Sequence, residues 1–281
     1  MMAEPTETQT APETRAANRK FLMEIAFDGT EFHGWQYQPN GLAVQEVIET
    51  KLRGLFGGAD IKLFGAGRTD AGVHALGFAA HFSAPESPYI PDWKIHKALN
   101  RLLPPLIRIV SFSRVDDPDF HARFSAAGKT YVYVINNGAV SPFTARYSWH
   151  LPNCDRVDEM RRALSFLEGT HDFSSFTVER KNIDSAVRTI FKTDVVVFGP
   201  YICLVFTGDG FLYKMIRSVT GLIAPVGLGS RTPESVKTVL EAKDRCKAEN
   251  TSPPNGLFLM KVYYKTDEWK NFRLEKPPFY W

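Results

Sequence analysis

Apolar side chains recur along this chain in two alternating rhythms. Residues 21–27 are an apolar run broken by Glu24 and closed by Asp28-Gly29-Thr30, which predicts a β-strand. Val44, Val47, Ile48, Leu52, Leu55 and Phe56 follow helical spacing, and Gly57-Gly58 supplies the stop. The apolar stretch 61–82 is interrupted by Gly65, Gly67 and Gly72, so it predicts two strands around a glycine-rich loop. A helix with Asp92 as its cap carries Trp93, Ile95, Leu99, Leu102 and Leu103 up to Pro104-Pro105, and 107–112 is a strand. The second half runs in a similar order. Tyr131 and Tyr133 alternate with Val132 and Val134 in a strand, and a helix over 157–168 ends at Gly169. Strands at 187–197 and 201–207 precede an apolar helix over 211–223, a shorter helix opening at Thr232-Pro233, and a strand over 257–264. This order predicts an α+β fold of two related domains, each a mixed β-sheet with helices, at 19–118 and 119–266. Residues 1–18 read as a flexible leader, and the pattern gives the tail 267–281 no place.

Composition narrows the class. The 281 residues are 44% apolar and 23% charged, which is globular and excludes a disordered or collagen-like chain. The net charge is +3, rising to about +5 once the acidic leader is set aside, which permits a polyanionic partner without requiring one. Three well-separated cysteines with no C-x-x-C pair predict neither a disulfide framework nor a zinc site. With no secretory h-region, no Arg-rich transit pattern and no membrane-length apolar run, the expected location is the cytoplasm.

The densest polar cluster in an apolar setting is Gly65-Ala66-Gly67-Arg68-Thr69-Asp70-Ala71-Gly72-Val73-His74. It lacks the G-K-[ST] and G-x-G-x-x-G spacings of nucleotide loops, so it is either a tight turn with a structural Asp70 or an active-site loop. The seven histidines never form an H-x-x-x-H pair and read as structural or surface residues. No G-x-S-x-G elbow exists for serine chemistry. Arg217 stands between Ile216 and Val219 on what should be a buried helical face, and a buried guanidinium needs a carboxylate. Asp70 is the candidate partner.

The glycine loop continued to Ala75 resembles the signature of the TruA-type tRNA pseudouridine synthases. So do Phe27-Asp28-Gly29-Thr30 with Phe32-His33-Gly34-Trp35-Gln36, Phe120-His121-Ala122-Arg123-Phe124-Ser125-Ala126, and Lys129-Thr130-Tyr131-Val132-Tyr133. Asp172-Phe173-Ser174-Ser175-Phe176, Phe211-Leu212-Tyr213-Lys214-Met215-Ile216-Arg217 and Gly256-Leu257-Phe258-Leu259 complete a match that spans about 21–264 in order. Ser218 and Lys214 depart from it, standing where Asn and His are common in that family.

The resemblance implies a pseudouridine synthase fold whose domains meet around a central cleft. It implies isomerisation of uridine to pseudouridine at positions 38, 39 and 40 of the tRNA anticodon arm, without cofactor or metal. Asp70 then corresponds to the catalytic aspartate, which acts as a nucleophile or stabilises an oxocarbenium-like centre, and Arg217 to its partner. Tyr131 corresponds to the tyrosine that stacks on the target base; as a strand aromatic it fits a core position equally well. Arg68 corresponds to the residue that fills the space of the flipped nucleotide. Arg123, Lys129, Arg180, Lys181, Arg188 and Lys214 are candidate phosphate contacts, and a homodimer sharing its cleft around one tRNA is expected. Rival readings are a catalytically silent RNA-binding protein on the same scaffold and a nucleotide-binding oxidoreductase.

Overall fold

The structure is a computed structural model that describes residues 19–178, 185–248 and 250–280. The expected leader, and Arg180 and Lys181 with it, lie outside the described residues. In chain order the elements are β1 (Arg19–Phe27), α1 (Val44–Leu55), β2 (Leu63–Gly65), β3 (His74–Ala84), α2 (Asp92–Leu102), β4 (Ile107–Val115), β5 (Gly128–Asn136), β6 (Trp149–His150), α3 (Val157–Ser165), β7 (Gly169–Asp172), β8 (Val187–Phe198), β9 (Tyr201–Gly208), α4 (Met215–Gly227), α5 (Glu234–Ala242), α6 (Arg245–Ala248) and β10 (Leu257–Tyr263).

The α+β class holds, and the two halves share one ten-stranded sheet: eight strands run in the order β4-β1-β3-β10-β5-β9-β8-β7, with β2 paired to β3 and β6 to β5 off this path. β10, from the end of the chain, sits between the halves. It runs parallel to β3 through Phe258↔His74 and Leu259↔Ala75, and antiparallel to β5. The seam is short, two residue pairs on the β3 side, because the glycine loop enters β3 at that level. Apolar residues cover both faces at the middle of the sheet. One large core holds Phe21, Ile25, Phe78 and Phe82 from the first half with Tyr133, Leu204, Val219 and Leu222 from the second. A smaller core on Val132, Val134, Cys203 and Phe258 is roofed by Phe272, Leu274 and Phe279. That is the place of the tail, which the hydrophobic rhythm leaves unassigned.

Two local expectations are corrected. The apolar run from Phe211 does not begin helical: Lys214 takes a left-handed turn (φ 59°) and α4 opens at Met215, so Phe211 packs outside the helix. Asp92 does not cap α2; it is the helix's first residue, and its carboxylate accepts a hydrogen bond from buried Arg19 at 3.0 Å. Long-range ion pairing outweighs a local cap that the sequence alone favours.

Candidate active site

The glycine loop is held by the segment that follows β1. β2 turns back on β3 with Leu63 opposite Phe82 and Gly65 opposite Ala80. From there the loop runs on to the start of β3, and its backbone is tied down at two points: the Gly72 N–H donates to the Phe32 carbonyl (3.3 Å) and the Trp35 N–H to the Thr69 carbonyl (3.3 Å). Close approach is possible because Gly34 has a positive φ of 88°; a Cβ there would lie 2.4 Å from the Thr69 oxygen. Trp35 anchors this support by stacking on Phe78 at 3.9 Å between centroids. The Thr69 side chain is buried, and its hydroxyl finds no hydrogen-bond partner among the described residues.

Asp70 projects from this loop to the other half of the molecule. The Arg217 Nη1 donates to Asp70 Oδ2 at 2.5 Å, closing a contact between residues 147 apart in the chain. The left-handed residue before α4 places Arg217 in the first turn of the helix. Its Nε donates to the Ser252 carbonyl at 2.8 Å, while the Ser252 N–H donates back to the Arg217 carbonyl at 3.0 Å. The segment holding Ser252 can lie this close because Gly221, inside α4, leaves room for the Asn250 backbone; a Cβ would meet the Asn250 oxygen at 2.4 Å. The guanidinium is therefore held on its far side by Ser252, and the pair is only about one-seventh exposed: 13% for the arginine side chain and 15% for the aspartate. A charge-assisted bond in such a setting is strong and directional. Asp70 Oδ1 accepts no hydrogen bond from any described residue, which leaves a carboxylate oxygen available for chemistry.

Tyr131, on β5, pairs across the sheet with Phe206 and Leu259, and its ring meets Phe211 edge-on at 5.3 Å. It is largely buried, as the core reading has it, and it also senses Asp70. Burial first, and then the Asp70 charge, pushes its phenol well above the usual tyrosine range, so the ring stays protonated and uncharged. Arg68 is exposed and makes no hydrogen bond or ion pair with a described residue.

Of the candidate phosphate contacts, three come together. The Lys129 ammonium donates to the Ala66 carbonyl at the mouth of the glycine loop (2.8 Å). Its pKa is brought down to about 8, chiefly by burial and then by repulsion from Arg123 and Arg188, with Asp209 pulling the other way. These three cations therefore lie close enough to act on one another, at the Ala66 end of the glycine loop. Lys214 caps the start of α4, its ammonium over the Tyr213 ring at 5.0 Å.

A second carboxylate next to the loop is one that motif reasoning singled out only as part of a strand end. Asp28 Oδ1 accepts bonds from the Thr30 N–H (3.0 Å) and hydroxyl (2.6 Å) and lies 3.2 Å from His74 Nδ1. Its Oδ2 accepts from the Tyr147 hydroxyl (2.9 Å). Burial works against the charged form, but the hydrogen bonds from Thr30 and Tyr147 favour it and the carboxyl is held below its usual range, while His74 Nδ1 itself accepts from the Gly29 N–H at 3.1 Å. His74 is buried, stacked on Phe258 and bonded through Nε2 to the Arg146 carbonyl, so it braces the end of the glycine loop. The Ser252 carbonyl, which orients Arg217, carries no side-chain signal by which sequence could find it.

Among the described residues no cluster of His, Cys, Asp and Glu could hold a metal ion, and no helix is long and apolar enough to cross a membrane.

Comparison with known proteins places this geometry. The family described as tRNA pseudouridine synthase matches over residues 23–125 and 163–265, one stretch in each half. The tRNA pseudouridine synthase A of Geobacillus kaustophilus is 42% identical over 245 residues, covering 86% of this chain and 93% of that one. That of Akkermansia muciniphila is 43% identical over 253 residues (87% and 95%), and that of Chlamydia trachomatis serovar A is 37% identical over 271 residues (94% of each). With matches of this extent laid over a carboxylate–guanidinium pair that joins its two halves, the chain belongs to the tRNA pseudouridine synthase family.

Proposed function

We propose that this chain is the isomerase that converts uridine to pseudouridine at positions 38, 39 and 40 in the anticodon arm of tRNA, with Asp70 as its catalytic carboxylate. The observation that carries the reading is the Asp70–Arg217 pair: one oxygen is fixed by a clamped guanidinium and the other is unoccupied, in a mostly shielded place. The reaction breaks the N-glycosidic bond, turns the uracil while it is held, and joins C5 to the sugar carbon. The C5 proton leaves and one is gained on the former glycosidic nitrogen, so no redox partner is needed. Asp70 supplies the negative charge that such a sugar-centred reaction requires. The uncharged Tyr131 ring offers a face for the flipped base. Arg68, exposed and unengaged, is suited to enter the space the nucleotide vacates, offsetting part of the few kcal/mol that flipping costs.

Arg123, Lys129, Arg188 and Lys214 would then meet phosphates of the arm, and Arg180 and Lys181 extend the same proposal from the segment outside the described residues. A homodimer acting on one tRNA, in the cytoplasm, belongs to this reading as well; sedimentation with and without tRNA checks the stoichiometry. The decisive test of the site specificity is pseudouridine mapping of tRNA from cells with and without the protein. Loss confined to 38, 39 and 40 supports the assignment. No lost site would favour the catalytically silent RNA-binding alternative.

A further inference from the structure

Four aromatic rings form a row beside the mouth of the glycine loop and take no part in the chemistry above. Phe64, on β2, stacks on His81 of β3 at 5.1 Å between centroids. His121 packs against both, 5.6 Å from Phe64 and 4.8 Å from His81. Phe124 extends the row at 4.6 Å from His121. The outer rings face solvent: Phe124 is 78% exposed and Phe64 45%. The row is rigid, because backbone N–H groups hold both imidazoles. The Ala122 N–H donates to His81 Nδ1 and the Arg123 N–H to His121 Nδ1, each at 3.1 Å. An imidazole nitrogen that accepts carries no proton, so both rings sit neutral. Their pKa values agree: burial, followed by neighbouring positive charge, lowers both, His81 to about 4.

The surroundings are cationic. The Arg123 guanidinium lies over the Phe124 ring at 5.5 Å. The charges that act on His121 are Lys20 and Arg123, and Arg123 also acts on Lys129 at the Ala66 carbonyl. The rings therefore share Arg123 with the cations at the Ala66 end of the glycine loop. Flat, exposed, uncharged rings interleaved with cations match single-stranded nucleic acid, whose bases stack on the rings while its phosphates meet the cations. An aliphatic protein partner would find no aliphatic side chain in the row.

We propose that Phe64, His121 and Phe124, with Arg123, form a stacking platform for an unpaired base of the substrate RNA outside the nucleotide held at Asp70. This rests on the tRNA reading above. The test is the affinity of the full chain for an unmodified tRNA transcript across a salt series, with Phe124→Ala, Phe124→Trp and Arg123→Ala beside the wild type. Because Phe124 is mostly exposed, its replacement does not threaten folding. Phe124→Ala weakens binding about tenfold with an unchanged slope of log Kd against log salt, and Phe124→Trp restores it. Arg123→Ala instead lowers the slope by about one. At saturating tRNA, Phe124→Ala keeps kcat and raises KM. Wild-type affinity in Phe124→Ala overturns the platform and turns the exposed rings toward a protein partner, while a wild type that binds no tRNA overturns the functional reading itself.

Discussion

Two carboxylates flank the same loop and are almost equally sheltered, yet they are built for opposite ends. Asp28 is 14% exposed and Asp70 15%. Around Asp28 both oxygens are engaged: Thr30 bonds one of them twice, Tyr147 bonds the other, and Arg146 lies 3.5 Å from it. Around Asp70, among the described residues, Arg217 is the one side-chain donor and it takes one oxygen only. Burial alone therefore does not mark a reactive carboxylate. Saturation does: a carboxylate whose hydrogen-bonding capacity is consumed stabilises the fold, and one held by a single clamp can meet substrate.

The contrast is broken most severely at Asp70. Asp70→Asn loses pseudouridine formation by about a thousandfold or more, a loss typical of a group acting at the reacting atoms, while tRNA binding is retained. Single-turnover assays with a parallel filter-binding measurement check both. Next comes the clamp. Arg217→Ala lowers kcat by about a hundredfold, and Arg217→Lys recovers only part of it, because an ammonium restores the charge but cannot bond Asp70 and the Ser252 carbonyl together.

Asp28 should respond in stability rather than rate. Asp28→Asn costs about 2 kcal/mol, read as a fall of several degrees in Tm, with kcat within about tenfold of wild type. The pH dependence has a definite sign. A carboxyl lowered in the folded state contributes stability that is present above the unfolded pKa, near 3.9, and is lost as pH falls toward the folded value. Denaturation midpoints measured from pH 6 down to 3 should therefore fall more steeply in wild type than in Asp28→Asn. The smallest effect lies at Lys129. Its ammonium is charged below about pH 8 and neutral above, so tRNA affinity declines severalfold between pH 7 and 9. Lys129→Arg, charged throughout, removes that decline.

The sequence made the first of these carboxylates visible and hid the second. Asp70 stands out because a charged cluster sits among glycines inside an apolar run, and Arg217 because it interrupts an apolar helix; their pairing follows from the need to neutralise a buried charge. The strands were legible for the same reason, since sheet burial imposes its period on side chains. The importance of Asp28 depends on Tyr147 and His74, which reach it from 119 and 46 residues away, and no local pattern encodes that meeting. The Ser252 contact is made by backbone and leaves no side-chain trace. The start of α4 is hidden in the sequence because Phe211 and Leu212 continue the apolar pattern through a left-handed turn at Lys214 that only the backbone reveals. The tail escaped because its apolar residues roof a sheet face formed by distant strands.

The most direct measurement incubates one tRNA transcript with purified wild type, Asp28→Asn and Asp70→Asn and counts pseudouridines at each position. The account predicts product from wild type and Asp28→Asn and none from Asp70→Asn, although all three bind the RNA. Pseudouridine formed by Asp70→Asn at the wild-type rate would contradict it.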